Sequence, residues 1–482
     1  MAHGYPGPDL ELRAILGAPH VGALKEPAAF DKCAKKDRDR GWVHHGYSLP
    51  PIWPMLADPM NIIVCNDKAR MTINKTMQLV DGVASYNDSV DLESIPDIEY
   101  VKVAELARAI AILDTAEAPV KVWGFDLDSY FRRTGKQRRD CWMSGFVHSD
   151  GFGFHPRIQF GQREAPVLCG RQSCFLVWAI QRELAQLDEA YPAVEPADLR
   201  WLQQRREAAV TAKTVEEDAY RWAVLVFTLM YVDDIGAASI NDLIFDHRGA
   251  LVMLARASGQ EGTPGQQRRA SLHFAAAVGV VKHFGHADSE GKSWLPGEYM
   301  DFLGATLDLE EAVIYLTELK RTSYALAIVA LLGGETASKG ELHVNADELN
   351  SLCHKLLHAA CTVVLGRVHT FYILRALRAK TRLAGGRKVV GQRAQGELLW
   401  WLARLRAVPP ESCPLASRSA FPRQGTPGLL VYYADASREL HSPGESGYGG
   451  WWIIGVPLST STAGGLMTRF ATCISKRLSW PP

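Results

Sequence analysis

The chain has 482 residues, 47% hydrophobic and 22% charged, the proportions of a folded globular protein long enough for two to four packed units. Lys plus Arg and Asp plus Glu balance at 53 each, so net charge calls for no polyanionic partner and the local charge pattern must be read instead. No run approaches the ~20 apolar residues that span a bilayer, the start lacks the pattern of a secretory signal, and the nine cysteines show no CxxC pair or zinc-finger spacing. These features point to a soluble, intracellular protein with free thiols.

Residues 1–55, rich in Pro, Gly, Lys and Asp with KKDRDR in the middle, are expected to form a loosely ordered lead-in. IIVCNDKARMTI then suggests strands, VKVAELARAIAIL a helix by its apolar spacing, and KVWGFDLDSYF another strand. The Gly-rich, aromatic SGFVHSDGFGFHPRIQFG predicts a hairpin, and a helix is expected over about 172–187. Residues 188–222 are strongly charged and predict one or two exposed helices of unassigned role. LVFTLMYVDDIGAAS follows as a strand pair turning at its two aspartates. EYMDFLGATLDLEEAVIYLT alternates like a hairpin, several helices fill 320–405, and Pro409–Gly428 has the composition of a linker. GLLVYYADAS and GYGGWWIIGV read as strands of a short separate unit.

Two adjacent carboxylates after an apolar strand, Asp233 and Asp234, suit either a turn or a cation site that relieves their repulsion. Asp126, on the apolar strand VWGFDL, carries the same ambiguity by itself. Together they form the layout for two divalent ions, a strand with one aspartate beside a hairpin with two at its turn.

The order FDLDSYF, FGQREAP, YVDD, GKSWLPGEYMDFLG resembles the palm motifs of reverse transcriptases. Asp126 with Phe131, Gly161 with Ala165 and Pro166, Tyr231 to Asp234, and Lys292 with Phe302, Leu303 and Gly304 carry that resemblance. It implies an α+β right-hand polymerase, with fingers, an antiparallel palm sheet and a helical thumb. It also implies catalysis by Asp126, Asp233 and Asp234 holding two Mg²⁺ (or Mn²⁺). Phe131, Lys68, Arg70 and Lys292 would bind the deoxynucleoside triphosphate. Gly161, Ala165, Pro166, Tyr231, Phe302, Leu303 and Gly304 would meet template and primer. The partners implied are an RNA template, a DNA primer and dNTPs.

Two basic stretches point to phosphate backbone. FRRTGKQRRD holds Arg132, Arg133, Lys136, Arg138 and Arg139, and residues 349–396 contain nine Lys or Arg and no acid. The second stretch, with Arg375, Arg378, Lys380 and Arg382, falls where such a thumb grips the template–primer. The C-terminal VYYADAS…GYGGWWIIG resembles the opening strands of a ribonuclease H-like unit, with Asp435 as a remnant first carboxylate and too few further acids for cleavage. The expected division is 56–318 fingers and palm, 319–408 thumb and connection, 409–428 linker and 429–482 a truncated RNase H-like unit. The combination looks most like retrotransposon enzymes of the tyrosine-recombinase (DIRS-like) or related long-terminal-repeat type. The alternative is an inactive or host-adopted relic that binds nucleic acid without copying it.

Overall fold

The computed structural model describes residues 14–17, 21–65, 68–81, 84–96, 100–113, 119–191, 225–248, 250–252, 267–336, 340–379, 386–415, 430–432 and 452–454. The chain is a mixture of helices and mostly antiparallel sheets, and it divides into two compact units, residues 1–106 with 119–307 and residues 107–118 with 308–482. Among the described residues no helix is long and apolar enough to cross a membrane, and Cys33, Cys141, Cys169, Cys174, Cys353, Cys361 and Cys413 are free thiols.

The heart of the first unit is a four-stranded antiparallel sheet in the order 288–297, 120–127, 234–240, 226–231. Alternation along Val120–Leu127 sends Trp123, Phe125 and Leu127 to one face, where they pack with Ile235, Ala237 and residues of helices Ala165–Ala190 and Arg269–His283. The other face carries Gly124 and Gly236, and both positions are closed to a side chain. A Cβ on Gly124 would stand 2.4 Å from the Ile235 carbonyl oxygen, and one on Gly236 2.7 Å from the Phe302 ring. The strands expected in IIVCNDKARMTI pair as a hairpin, 60–65 with 68–73, and the expected hairpin is present at 145–148/151–154. The helix expected from 172 starts at Ala165, with Pro166 in its first turn, where a missing N–H costs nothing.

Three expectations are corrected. Residues 27–39 are an ordered helix rather than a lead-in, because Phe30 and Ala34, four apart, pack with Val43, Met60, Ile73 and Phe146 while KKDRDR largely faces water. The beginning of the expected linker is a strand, Ser412–Pro414, which pairs with Val313–Tyr315. The region 320–405 is not wholly helical. Helices 318–332, 346–359, 371–378 and 392–405 enclose a core around Trp401, Leu398 and Ile373, but a small sheet of 335–336, 342–345 and 387–390 lies among them in sequence. β-Branched Val344, Val389 and Val390 suit that sheet. In the C-terminal segment, Leu430–Tyr432 and Trp452–Ile454 pair antiparallel. Most of 188–222, and Lys380, Arg382 and Asp435, lie outside the described residues.

Candidate active site

The register of the central sheet assembles the aspartates. Asp234 pairs with Asp126 across one ladder and with Tyr231 across the other, so both carboxylates leave the sheet on the Gly124/Gly236 face. Asp233 occupies the turn, and its carbonyl accepts the Leu127 N–H at 3.0 Å, locking the turn to the neighbouring strand. Val232 holds φ at +58°, a costly conformation for a β-branched residue. Ser173 Oγ donates to its carbonyl at 2.7 Å, and Tyr130 Oη lies 3.0 Å from the same Oγ. Helix Ala165–Ala190 thus anchors the strained turn that presents Asp233.

Burial, and after it the Asp126 charge, raises the Asp233 carboxyl above its usual range. Asp234 is pushed up to about 6, by burial first and then by Asp126 and Asp233. Lys292 Nζ donates to Asp126 Oδ2, which raises the lysine, and Ser289 Oγ donates to the same oxygen at 3.0 Å. The Lys292 side chain is 59% exposed and that of Asp126 only 13%, so the cation stands at the mouth of a recessed acidic cluster. Three hard oxygen donors against one lysine leave the cluster short of positive charge. That deficit fits a divalent cation, with Asp126, Asp233 and Asp234 as the residues to hold it.

The remaining predicted residues scatter in role. Phe131 is half-buried one turn past Asp126, its ring 4.8 Å from that of Phe160 and 6.5 Å from that of Tyr130. Tyr231 is exposed at the hairpin end, with its ring 5.1 Å from Tyr100. Arg70 is exposed on strand Lys68–Ile73, whereas the Lys68 side chain lies outside the described residues. Phe302 is buried against Gly236, on the sheet face from which the Asp126 and Asp234 carboxylates leave, and there it packs as support for the aspartate strand. Leu303 and Gly304, both at positive φ, form the turn that follows. Asp128 is drawn away from the cluster by Arg40 at 3.3 Å and Arg133 at 3.7 Å.

A clamp on the Gly161 loop escaped sequence reasoning. Asn87 Nδ2 donates to the Gly161 carbonyl at 2.8 Å, and Asn87 Oδ1 accepts from Arg163 N at 3.0 Å. Gln162 Nε2 donates to Tyr86 Oη at 2.8 Å, and Tyr86 Oη in turn donates to Glu164. Beneath them Lys75 and Asp58 form a fully buried pair at 2.5 Å, and Lys75 also donates to the Met143 carbonyl at 2.6 Å. Gly161 itself sits at φ +100°, with the Ile73 carbonyl oxygen 2.7 Å from where a Cβ would be. No local sequence signal announces this clamp, because its partners Asn87 and Gly161 stand 74 residues apart.

The two basic stretches part company. In FRRTGKQRRD, Arg132 pairs with Asp37 at 3.3 Å and lies 2.8 Å from His155 Nδ1, Arg133 donates to the Asp128 and Gly285 carbonyls, and Lys136 donates to Ser144. Three of its five cations therefore serve the fold, leaving Arg138 and Arg139 exposed. In the second unit Arg375 and Arg378 are exposed on helix Phe371–Arg378. The same unit has an open groove of about 520 Å³ lined by His369, Phe371, Tyr372, Arg393 and Trp400, in which the His369 and Trp400 rings stack at 3.9 Å.

No protein-family model and no curated protein matches this chain. Among solved structures it is similar to a foamy viral protease-reverse transcriptase (dRH) in complex with ds DNA, at 12% identity and TM-score 0.47 over 83% of this chain and 52% of that one. The foamy viral protease-reverse transcriptase with RNA/DNA hybrid aligns at 13% identity and TM-score 0.42, over 82% of this chain and 38% of that one. A complex of the same viral enzyme with dsDNA aligns at 13% identity and TM-score 0.45, over 100% and 77% of the two chains. The chain spans about half the length of the first of these and less of the second.

Proposed function

We propose that the chain is an RNA-directed DNA polymerase of the retrotransposon kind, with fingers and palm in the first unit and a basic thumb in the second. The observation that carries this reading is the register that pairs Asp126 with Asp234 and sets Asp233 in the adjoining turn. Two divalent ions bound there would lower the pKa of a primer 3′-hydroxyl and neutralise a triphosphate. The three aspartates would hold these ions at the end of the two central strands, beside a turn held by Ser173 and the Leu127 N–H. Lys292, more than half exposed at the mouth of the cluster, is placed so that its ammonium could reach a triphosphate bound there. Phe131 presents an aromatic edge where a 2′-hydroxyl would sit, which favours deoxynucleotides. The clamped Gly161 loop offers backbone rather than side chain to the new base pair. Exposed Arg375 and Arg378, with the aromatic groove of the second unit, supply phosphate contacts and stacking surfaces.

The test is primer extension with Mg²⁺ on RNA and DNA templates in parallel. The wild-type chain is expected to extend on RNA, and Asp233→Asn to lower the rate about a hundredfold or more, because the aspartate's ion supplies several kcal/mol of charge stabilisation. Unchanged extension by Asp233→Asn would remove the metal assignment, and a wild-type chain without extension on either template would overturn the function.

A further inference from the structure

The polymerase reading leaves unused a second cluster in the first unit. His45 lies on strand His44–Tyr47, while His148 and Asp150 border the turn between strands Gly145–His148 and Gly151–Phe154. Pairing of His45 with Gly153, and of His148 with Gly151, brings the two imidazoles to 4.8 Å between ring centroids. Both converge on one carboxylate, His45 Nδ1 at 2.7 Å from Asp150 Oδ2 and His148 Nδ1 at 2.6 Å from Asp150 Oδ1. One ligand atom from each of the three residues lies within 4.8 Å of the others. Gly46, at φ +92°, forms the bulge that breaks the ladder between His45 and Tyr47 beside Asp150.

The cluster is unsatisfied as a set of hydrogen bonds. The histidine side chains are only 4% and 5% exposed, and both Nε2 atoms lack a hydrogen-bond partner. His148 Nε2 stands 3.0 Å from Asp31 Oδ1 without being aligned as a hydrogen bond, and Ser149 Oγ donates to the same Asp31 oxygen at 3.1 Å. His148 Nδ1 also lies 3.4 Å from the Asp150 N–H and 3.3 Å from Ser149 Oγ; in the tautomer that donates from Nδ1 to Asp150, Nε2 turns a bare lone pair toward the Asp31 carboxylate. An ion at Nδ1 reverses this. The Nδ1 proton leaves, Nε2–H donates to Asp31, and the imidazole is oriented by a carboxylate as metal-binding histidines usually are.

We propose that His45, His148 and Asp150 bind one zinc-class transition-metal ion, with Asp31 orienting His148. Two imidazoles and a carboxylate are borderline donors that suit Zn²⁺ or Co²⁺ over Mg²⁺ or Ca²⁺. The Asp150 side chain is 41% exposed, which leaves a coordination position open to water. The ion fastens strand His44–Tyr47 and the 145–154 hairpin to helix Pro27–Asp39, which carries Asp31. It is a staple in the sheet and takes no part in nucleotide transfer.

The full-length chain, stripped with a chelator and returned to buffer with excess Mg²⁺ to fill the Asp126 cluster, is titrated with Zn²⁺ and separately with Co²⁺. One equivalent is expected to bind, and cobalt should give the visible bands of a nitrogen–oxygen site without thiolate charge transfer. Zn²⁺ should raise the thermal unfolding midpoint. His148→Gln and His45→Gln should each lose that equivalent, and Asp31→Asn should weaken it about 10- to 100-fold. If the histidine variants fail to fold, the isosteric and partly exposed Asp150→Asn reports on the same equivalent. Unchanged stoichiometry in these variants, or thiolate bands with cobalt, would overturn the site. Absence of binding by the wild type would identify the cluster as a protonated histidine–aspartate network and overturn it as well. None of these readouts depends on polymerase activity.

Discussion

Two recessed charged clusters in the first unit make opposite use of their charge. Under the Gly161 loop, Lys75 and Asp58 neutralise one another with side chains 0% and 1% exposed, and Tyr86, Gln162 and Glu164 continue the network. At the end of the central sheet, three carboxylates share one half-exposed lysine, and Asp233 and Asp234 are raised by burial first and then by the Asp126 charge. The balanced cluster is scaffold, because paired buried charge holds a geometry but has nothing left to offer a ligand. The unbalanced cluster is poised for ligand, because the protein holds like charges together at a cost that a bound cation removes.

Variants that unbalance the first cluster should test this contrast most strongly. Lys75→Met leaves Asp58 buried and unpaired, and a loss of about 3–5 kcal/mol in urea unfolding is expected. The double variant Asp58→Leu/Lys75→Met should recover much of it. If Lys75→Met unfolds like wild type, the pair does not act as scaffold. Asp126→Asn should behave in the opposite way, with primer extension falling about a hundredfold or more while the unfolding midpoint holds or rises, since one of three repelling charges is gone. A midpoint that drops with activity would place Asp126 among the scaffold residues.

Gly161→Ala should cost about 1–3 kcal/mol in the same unfolding measurement, from a Cβ pressed on the Ile73 carbonyl at positive φ. A neutral result would mean that the loop is not held as clamped. The last effect concerns Lys136, which burial, and then Lys75, lowers from 10.5 to about 7. Between those pH values the unfolded chain binds a proton that the folded chain does not, so this lysine makes folding more favourable as pH rises through that window. The unfolding midpoint of wild type relative to Lys136→Gln should therefore increase from pH 7 to pH 9, and a constant difference would contradict the shift.

Much of the central sheet was legible because its signals are local. Alternation in VKVWGFDL and the apolar run into YVDD mark strands, and the two aspartates mark their turn. The helix after FGQREAP was legible too, although its start at Ala165 was missed because the Pro166 that opens it reads as a loop residue. The ordered helix at 27–39 was hidden because charged KKDRDR dominates the composition, while only Phe30 and Ala34 fill the buried stripe. The basic stretch after Asp126 was misread for a related reason. Sequence displays five cations alike, whereas the folded chain engages three of them, some through distant Asp37, His155 and Gly285 and some through nearby Asp128 and Ser144.

The residue order by itself determined which groups could do chemistry here: the aspartates of FDLD and YVDD, the aromatic five residues after Asp126, and the glycine before EAP. Periodicity and residue type are properties of a short window, and they survive without knowledge of the fold. Only the tertiary structure decided that Asp126 stands opposite Asp234, that Phe302 lies beneath Gly236, and that His45 meets His148 and Asp150 across about a hundred residues. Those meetings depend on strand register and on long-range packing, where a shift of one residue would turn every carboxylate to the other face.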